Sequence, residues 1–270
     1  MLKFAANLSM LYTEWLFIER FAQAAQDGFK GVECLFPYVE PAQRLKAELQ
    51  AYDLQQVLFN TPAGDWVAGE RGLACLPGRQ IECLDGVKKA LDYALVLGTQ
   101  HIHLMAGIPA DDVEFELLQA QYLDTVAKAA DLAAGAGVTI LLEPINPLNM
   151  PGYFLRTQAQ AHQVVDLLQR ENIKVQMDLF HCQRTEGNVA TKLAEYLPSG
   201  CVGHIQIAGA PERHEPDTGE LNYVYIFEQL LQLDYQGWIA CEYNPQGHTR
   251  EGLGWLQAWR QREQQLLAPQ

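Results

Sequence analysis

Thr139-Ile140-Leu141-Leu142-Glu143-Pro144 is a short apolar run of strand type that ends in an acid and is then stopped by proline. The same grammar recurs downstream. Val175-Gln176-Met177-Asp178, His204-Ile205-Gln206-Ile207-Ala208 and Ile239-Ala240-Cys241-Glu242-Tyr243 each carry a polar side chain near the end of an apolar run. Glu143, Asp178, Gln206 and Glu242 are spaced 35, 28 and 36 residues apart, and each step is the length of one strand–helix unit. Outward from this block, strands are expected at 3–8, 31–36, 54–60, 101–106, 138–144, 173–179, 202–208 and 238–243. Segments of helical period lie between them at 13–26, 79–97, 116–134, 158–170 and 223–233, with glycines such as Gly98 and Gly237 placed to close helices.

Eight β-then-α repeats predict a parallel sheet, and about 250 residues suit a closed (β/α)8 TIM barrel better than an open sheet. No GxGxxG turn follows the first strand, as a dinucleotide-binding sheet would want. The expected organisation is an α/β single-domain barrel over residues 1–262, with a C-terminal tail at 263–270 that continues the last helix and then frays. Loops 61–78 and 209–222 are long, follow strand C-terminal ends, and are candidate lids.

Of 270 residues, 49% are hydrophobic and 19% charged, which supplies a large core and excludes a disordered chain. Nineteen basic against thirty-three acidic residues leave a net charge of −14, so nucleic acid is not an expected partner. No apolar run approaches the ~20 residues that span a bilayer. Six scattered cysteines form no CxxC pair, and no secretory leader is evident at the N-terminus. A reduced, cytoplasmic protein is expected, away from membranes. Barrels commonly associate, so a homo-oligomer is also an expectation, without an interface to assign.

In a barrel the ends of neighbouring strands converge at one mouth. Glu143, Asp178, Gln206 and Glu242 would meet there, and three carboxylates at close range need a counter-charge. Hard oxygen donors of this kind suit Mg²⁺, or Mn²⁺, better than a thiolate-type zinc site. His101-Ile102-His103 places two imidazoles on one strand face, but on the fourth strand, where packing inside the barrel is the default. Glu33 and Asn60 end the second and third strands and would line the pocket.

Several stretches carry a resemblance. Phe4-Ala5-Ala6-Asn7-Leu8-Ser9-Met10, Pro62-Ala63-Gly64-Asp65-Trp66, Gly69-Glu70-Arg71-Gly72, Glu143-Pro144-Ile145-Asn146, the Gln206 and Glu242 strands and Gly219-Glu220-Leu221-Asn222-Tyr223 span nearly the whole chain. With them the chain resembles the hydroxypyruvate isomerases of the xylose-isomerase-like barrel superfamily, which also holds 2-oxo-tetronate isomerases, ketose epimerases and inosose dehydratases. The resemblance implies that Glu143, Asp178, Gln206 and Glu242 bind metal, with Glu143 and Glu242 as the proton-transfer pair. It also implies that His181 and Arg213 face the substrate, a small hydroxy-oxo acid, with Arg71 and Lys3 as weaker candidates for its carboxylate. Many epimerase relatives carry histidine where this chain has Gln206.

The implied reaction is an aldose–ketose isomerisation of hydroxypyruvate to tartronate semialdehyde through an enediolate, with a 2-oxo-tetronate as the alternative acid. An inosose-type dehydratase and a non-catalytic sugar-acid sensor are further alternatives. A metal nuclease of the endonuclease IV type would need a histidine-rich cluster and a basic face.

Overall fold

A computed structural model describes residues 1–268. Eight parallel strands close into a barrel in sequence order, β1 pairing with β8 to complete the ring. They are β1 Lys3–Asn7, β2 Gly31–Cys34, β3 Gln55–Asn60, β4 His101–His103, β5 Thr139–Leu142, β6 Ile173–Asp178, β7 Val202–Ile207 and β8 Trp238–Cys241. Each falls inside an expected segment, and all but β3, which ends at Asn60 as expected, end earlier than the apolar run suggests. The residues that follow turn inward at the mouth or continue into loops.

Nine α-helices surround the sheet among the described residues: α1 Arg20–Gln26, α2 Ala42–Ala51, α3 Gln80–Leu97, α4 Phe115–Ala134, α5 Gln158–Leu168, α6 Leu179–Thr185, α7 Val189–Tyr196, α8 Tyr223–Gln232 and α9 Gly254–Leu267. The two longest, α3 and α4, bury one face each, through Val87, Ala90 and Ala94 and through Tyr122, Val126, Ala129 and Ala133. Small residues on both let the helices lie close to the sheet, and the layer between strands and helices, continued around the barrel, is the main core.

Local chemistry adjusts several expected boundaries. The helix expected over 13–26 opens only as a 3₁₀ turn at Phe17–Glu19 before α1. Tyr12 stands at φ 59 with its backbone N–H bonded to Thr249 Oγ1, so the chain before residue 17 is tied to the β8–α9 loop instead. Gly98 closes α3 at φ 73 as expected, whereas after α8 it is Asp234 that turns left-handed, at φ 52, and Gly237 leads into β8. The α2 and α7 helices, outside the expected segments, are short and bury only two residues each, Leu45 and Leu49 in α2 and Val189 and Leu193 in α7. At the far end α9 runs through Leu267, and the buried Glu263 accepts from the backbone N–H of Leu2. No helix among the described residues is long and apolar enough to cross a membrane.

Loop 61–78 is only partly a lid. Its second half, Leu73, Ala74 and Cys75, is buried, and Cys75 N–H donates to Ala106 O at 2.8 Å. The exposed tip carries Trp66, with the Arg71 guanidinium 3.8 Å from the ring centroid.

Gly72 locks this loop to the barrel. Its φ is 109°, and a β-carbon there would stand 2.4 Å from Met105 O. Gly69 on the same loop also has positive φ, 97°, but nothing within 4 Å. Gly72→Ala should therefore cost at least ~2 kcal/mol and Gly69→Ala about 1 kcal/mol, read as shifts in urea midpoint. Equal costs for the two would show that the loop is not anchored at Gly72.

Candidate active site at the barrel mouth

Every strand delivers a polar side chain to the mouth or just beneath it. Asn7, Glu33, Asn60 and His103 end or nearly end β1 to β4, and Glu143, Asp178, Gln206 and Glu242 do so for β5 to β8. All eight are buried. The register places Asn7 beside Glu33 and Asp178 beside Gln206.

Asp178 is held by the start of α6, its Oδ1 accepting from Phe180 N at 2.7 Å and from His181 N at 3.1 Å. This cap leaves Oδ2 for the mouth. There Arg213 Nη2 lies 3.3 Å from Asp178 Oδ2 and 2.8 Å from Glu242 Oε2. Arg213 reaches them from loop 209–222 with φ 59, a conformation costly for a residue with a β-carbon. Two backbone bonds hold it there: Arg213 N donates to Gly209 O, and Arg213 O accepts from Asn244 N, each at 2.8 Å. Its Nη1 has no partner among the described residues.

Glu143 lies on the other side. His103 Nδ1 is 3.4 Å from its Oε2 and 3.3 Å from Asn60 Oδ1, so that nitrogen carries the proton. Glu143 Oε1 is buried without a hydrogen-bond partner. His181 Nε2 lies 4.0 Å from that oxygen and 3.6 Å from Asp178 Oδ2.

The tautomer of His181 follows from its other side. Asn146 Oδ1 accepts from Leu148 N and Asn149 N, at 3.1 and 2.9 Å, which turns Asn146 Nδ2 onto His181 Nδ1 at 2.6 Å. Nδ1 is thus an acceptor and Nε2 bears the hydrogen, so the ring presents an N–H donor to the mouth. Burial lowers both His181 and His103 to about 3, and both rings are neutral.

Four buried acids, Glu33, Glu143, Asp178 and Glu242, share the single guanidinium of Arg213. Burial, with Glu242, Asp178 and Glu33 nearby, raises the Glu143 carboxyl well above its ordinary range, and Arg213 only partly opposes this. Burial raises Glu242 too, with Arg213 opposing and Asp178 and Glu33 adding to the rise. Burial works against charge on Arg213, but Glu242, Asp178 and Glu143 prevail and strengthen its hold on the proton.

Donor atoms of Glu143, Asp178 and His181 lie within 4.8 Å of one another, close enough for one metal ion. The orphaned Glu143 oxygen and the unbalanced negative charge fit a hard divalent cation. Gln206 sits at the edge of this group, its Oε1 accepting from Gln176 Nε2 at 2.6 Å and its Nε2 donating to Glu33 at 2.7 Å.

Of the weaker carboxylate candidates, Arg71 is engaged with Trp66 and the backbone of its own loop, and Lys3 lies 5.5 Å from the Trp238 ring at the opposite end of the barrel. A cavity of about 170 Å³ lined by Phe36, Tyr38, Pro62, Ala63, Gly64 and Trp66 opens on the β2–β3 side of the mouth. A larger one, about 590 Å³, lies outside the barrel between α8 and α9 and touches none of the site acids.

A family model for the xylose isomerase-like TIM barrel matches residues 21–259. The chain belongs to that family. It is 52% identical over 257 residues to a 2-oxo-tetronate isomerase of Cupriavidus necator, covering 95% of this chain and 98% of the relative. It is 42% identical over 260 residues to the hydroxypyruvate isomerase of Escherichia coli, covering 96% and 100%. A crystal structure from Brucella melitensis, titled AP endonuclease, family 2, superposes with a TM-score of 0.93 at 45% identity, covering 96% of this chain and 99% of that one. With relatives of this closeness named as isomerases across almost their full lengths, this member of the family is an isomerase.

The missed residues were individually visible. Asn7 and His103 each stand in an apolar strand where one polar residue reads as packing, and only closure of the barrel gathers them with Asn60, which was expected to line the pocket.

The site acids also set a pH dependence. Glu143 and Glu242 hold protons more tightly folded than unfolded, whereas below about pH 6.5, the ordinary histidine value, the buried neutral His103 and His181 act in the opposite sense, so the two acids set the sign between about pH 6.5 and about 8, where Glu242 titrates. Stability of the metal-free protein should fall as pH rises through that window. Melting temperatures in EDTA at several pH values test this, and Glu242→Gln should flatten the slope. A slope unchanged in the variant would detach it from this site.

Proposed function

We propose that this isomerase interconverts the carbonyl and adjacent hydroxyl of a short 2-oxo acid by proton transfer between neighbouring carbons. The acid is hydroxypyruvate, giving tartronate semialdehyde, or its four-carbon homologue 2-oxo-tetronate. The carrying observation is the pair of buried glutamates, Glu143 and Glu242, whose raised proton affinities suit donation and acceptance near neutral pH.

One glutamate removes the proton from the hydroxyl-bearing carbon, leaving an enediolate. The other returns a proton to the former carbonyl carbon, and the hydroxyl proton passes between the two oxygens. His181 Nε2–H faces the oxygen on which charge develops and stabilises it there. Arg213 keeps Glu242 and Asp178 in place through Nη2 and offers Nη1 to the substrate carboxylate. A divalent cation, Mg²⁺ first with Mn²⁺ as its stand-in, would be held by Glu143, Asp178, Gln206 and Glu242. When bound it supplies Lewis-acid stabilisation of negative charge on the substrate oxygens. The rim formed by Trp66 and Arg71 would restrict water at the mouth.

The Cupriavidus necator relative favours the four-carbon acid, and the E. coli relative supports the three-carbon one. The net charge of −14 supports a small-molecule substrate over nucleic acid, and six free cysteines, five of them buried, fit a reducing compartment such as the cytoplasm.

Proton NMR in D₂O with Mg²⁺ and then EDTA separates the outcomes. Metal-dependent conversion of either acid with deuterium entering at the reprotonated carbon supports proton transfer. Conversion without deuterium would overturn the two-glutamate mechanism, and conversion of neither acid would overturn the substrate class. Glu143→Gln and Glu242→Gln should each lower kcat on the order of 10²-fold or more with the fold retained. Arg213→Lys should chiefly raise KM for the acid; an unchanged KM would remove Arg213 from carboxylate binding.

A further inference from the structure

One buried side chain beneath the mouth has bonds out of proportion to any packing role. Glu33 is 1% exposed, lies on β2, and reaches across the barrel interior to β7, with β1 and β8 between. Its Oε2 is 2.7 Å from His204 Nε2. Its Oε1 accepts from Gln206 Nε2 at 2.7 Å and from Asn7 Nδ2 at 2.8 Å. The same Asn7 nitrogen continues to Glu242 Oε1 at 3.2 Å.

A carboxylate is an acceptor only. An amide facing it must present its nitrogen, and its oxygen is thereby sent the other way. For Gln206 that other way is toward β6, where Gln176 Nε2 meets the amide oxygen at 2.6 Å and Asp178 is the adjacent partner in register. For Asn7 the nitrogen facing Glu33 is also the one that holds Glu242. An uncharged amide at position 33 would present either end and would no longer dictate these orientations.

We propose that Glu33 is a positioning residue: its carboxylate fixes the amides of Gln206 and Asn7 nitrogen-first, keeping the Gln206 oxygen on the Asp178 side of the mouth and Asn7 against Glu242. The site acids thus reach their working arrangement through an acid that itself meets neither cation nor substrate. This rests on the reading of Gln206 and Glu242 as part of the metal-binding, proton-transferring group.

The test is Glu33→Gln, which keeps volume and removes the acceptor-only character. It should bind Mn²⁺ about 10-fold or more weakly by electron paramagnetic resonance titration and lower kcat by a similar factor, with KM little changed. Placed on a Gln206→Ala background, Glu33→Gln should cost clearly less Mn²⁺ affinity than it does alone, because only its path through Asn7 to Glu242 remains. Wild-type Mn²⁺ affinity in Glu33→Gln, or a loss that simply adds to that of Gln206→Ala, would overturn the proposal.

If Glu33→Gln does not fold, Glu33→Asp keeps the charge but shortens the reach to β7. Its Mn²⁺ affinity should then fall between wild type and Gln206→Ala, and a wild-type value would again overturn the assignment. Failure of the wild-type protein to turn over either acid would sink the proposed function while leaving the Mn²⁺ measurements to decide on Glu33.

Discussion

The mouth of this barrel is governed by a charge deficit. Four acids are buried within reach of one another, and one guanidinium answers them. Isolated ionised carboxylates in such a place would be prohibitively costly, so the site must carry extra protons or extra positive charge. Both solutions serve an isomerase. On the proposed reading, protons held on Glu143 and Glu242 would serve acid–base transfer, and a divalent cation in their place would lower the barrier to charge on the substrate. The same deficit supports the proposal of a small acid over a polyanion with a phosphate backbone, even where the fold is shared.

That deficit is sustained by ordered polar contacts below it. Asn7, Glu33, His204, Gln206 and Gln176, on four strands, are linked to one another and to Glu242 through bonds of 2.6 to 3.2 Å, all in the barrel interior. Apolar filling would leave the acids above free to choose rotamers. A polar layer in which amide ends are dictated by an acceptor-only carboxylate leaves them one arrangement, at the cost of burying further charge.

Much of this was legible in the chain. The eight strands could be read because parallel barrel strands are buried on both faces and appear as uninterrupted apolar runs at unit spacing. Glu143, Asp178 and Glu242 could be read because an acid at the end of such a run has no packing reason to be there. By contrast, α2 and α7 are short and bury only two residues each, and α6 begins because the Asp178 side chain caps it, a bond no periodicity reveals. Nor could the sequence disclose the bridge of Arg213 to Asp178 and Glu242. It depends on a left-handed residue held by two backbone bonds in a long loop.

His181 shows why donor atoms in proximity do not by themselves assign a role. By distance it joins Glu143 and Asp178 as a ready ligand set. Yet Asn146, 35 residues earlier in the chain, has its oxygen committed to two backbone N–H groups and can offer the histidine only its nitrogen. That choice propagates through the ring: Nδ1 accepts, Nε2 donates, and the lone pair a metal would need is turned away from the mouth. On the proposed reading the imidazole is then better suited to hydrogen-bonding a substrate oxygen, while the carboxylates and the Gln206 amide would serve as the oxygen donors for a hard cation. Two amides, Asn146 and Gln206, each oriented by a neighbour outside the reacting centre, thereby divide the mouth into a side that donates protons and a side that accepts positive charge.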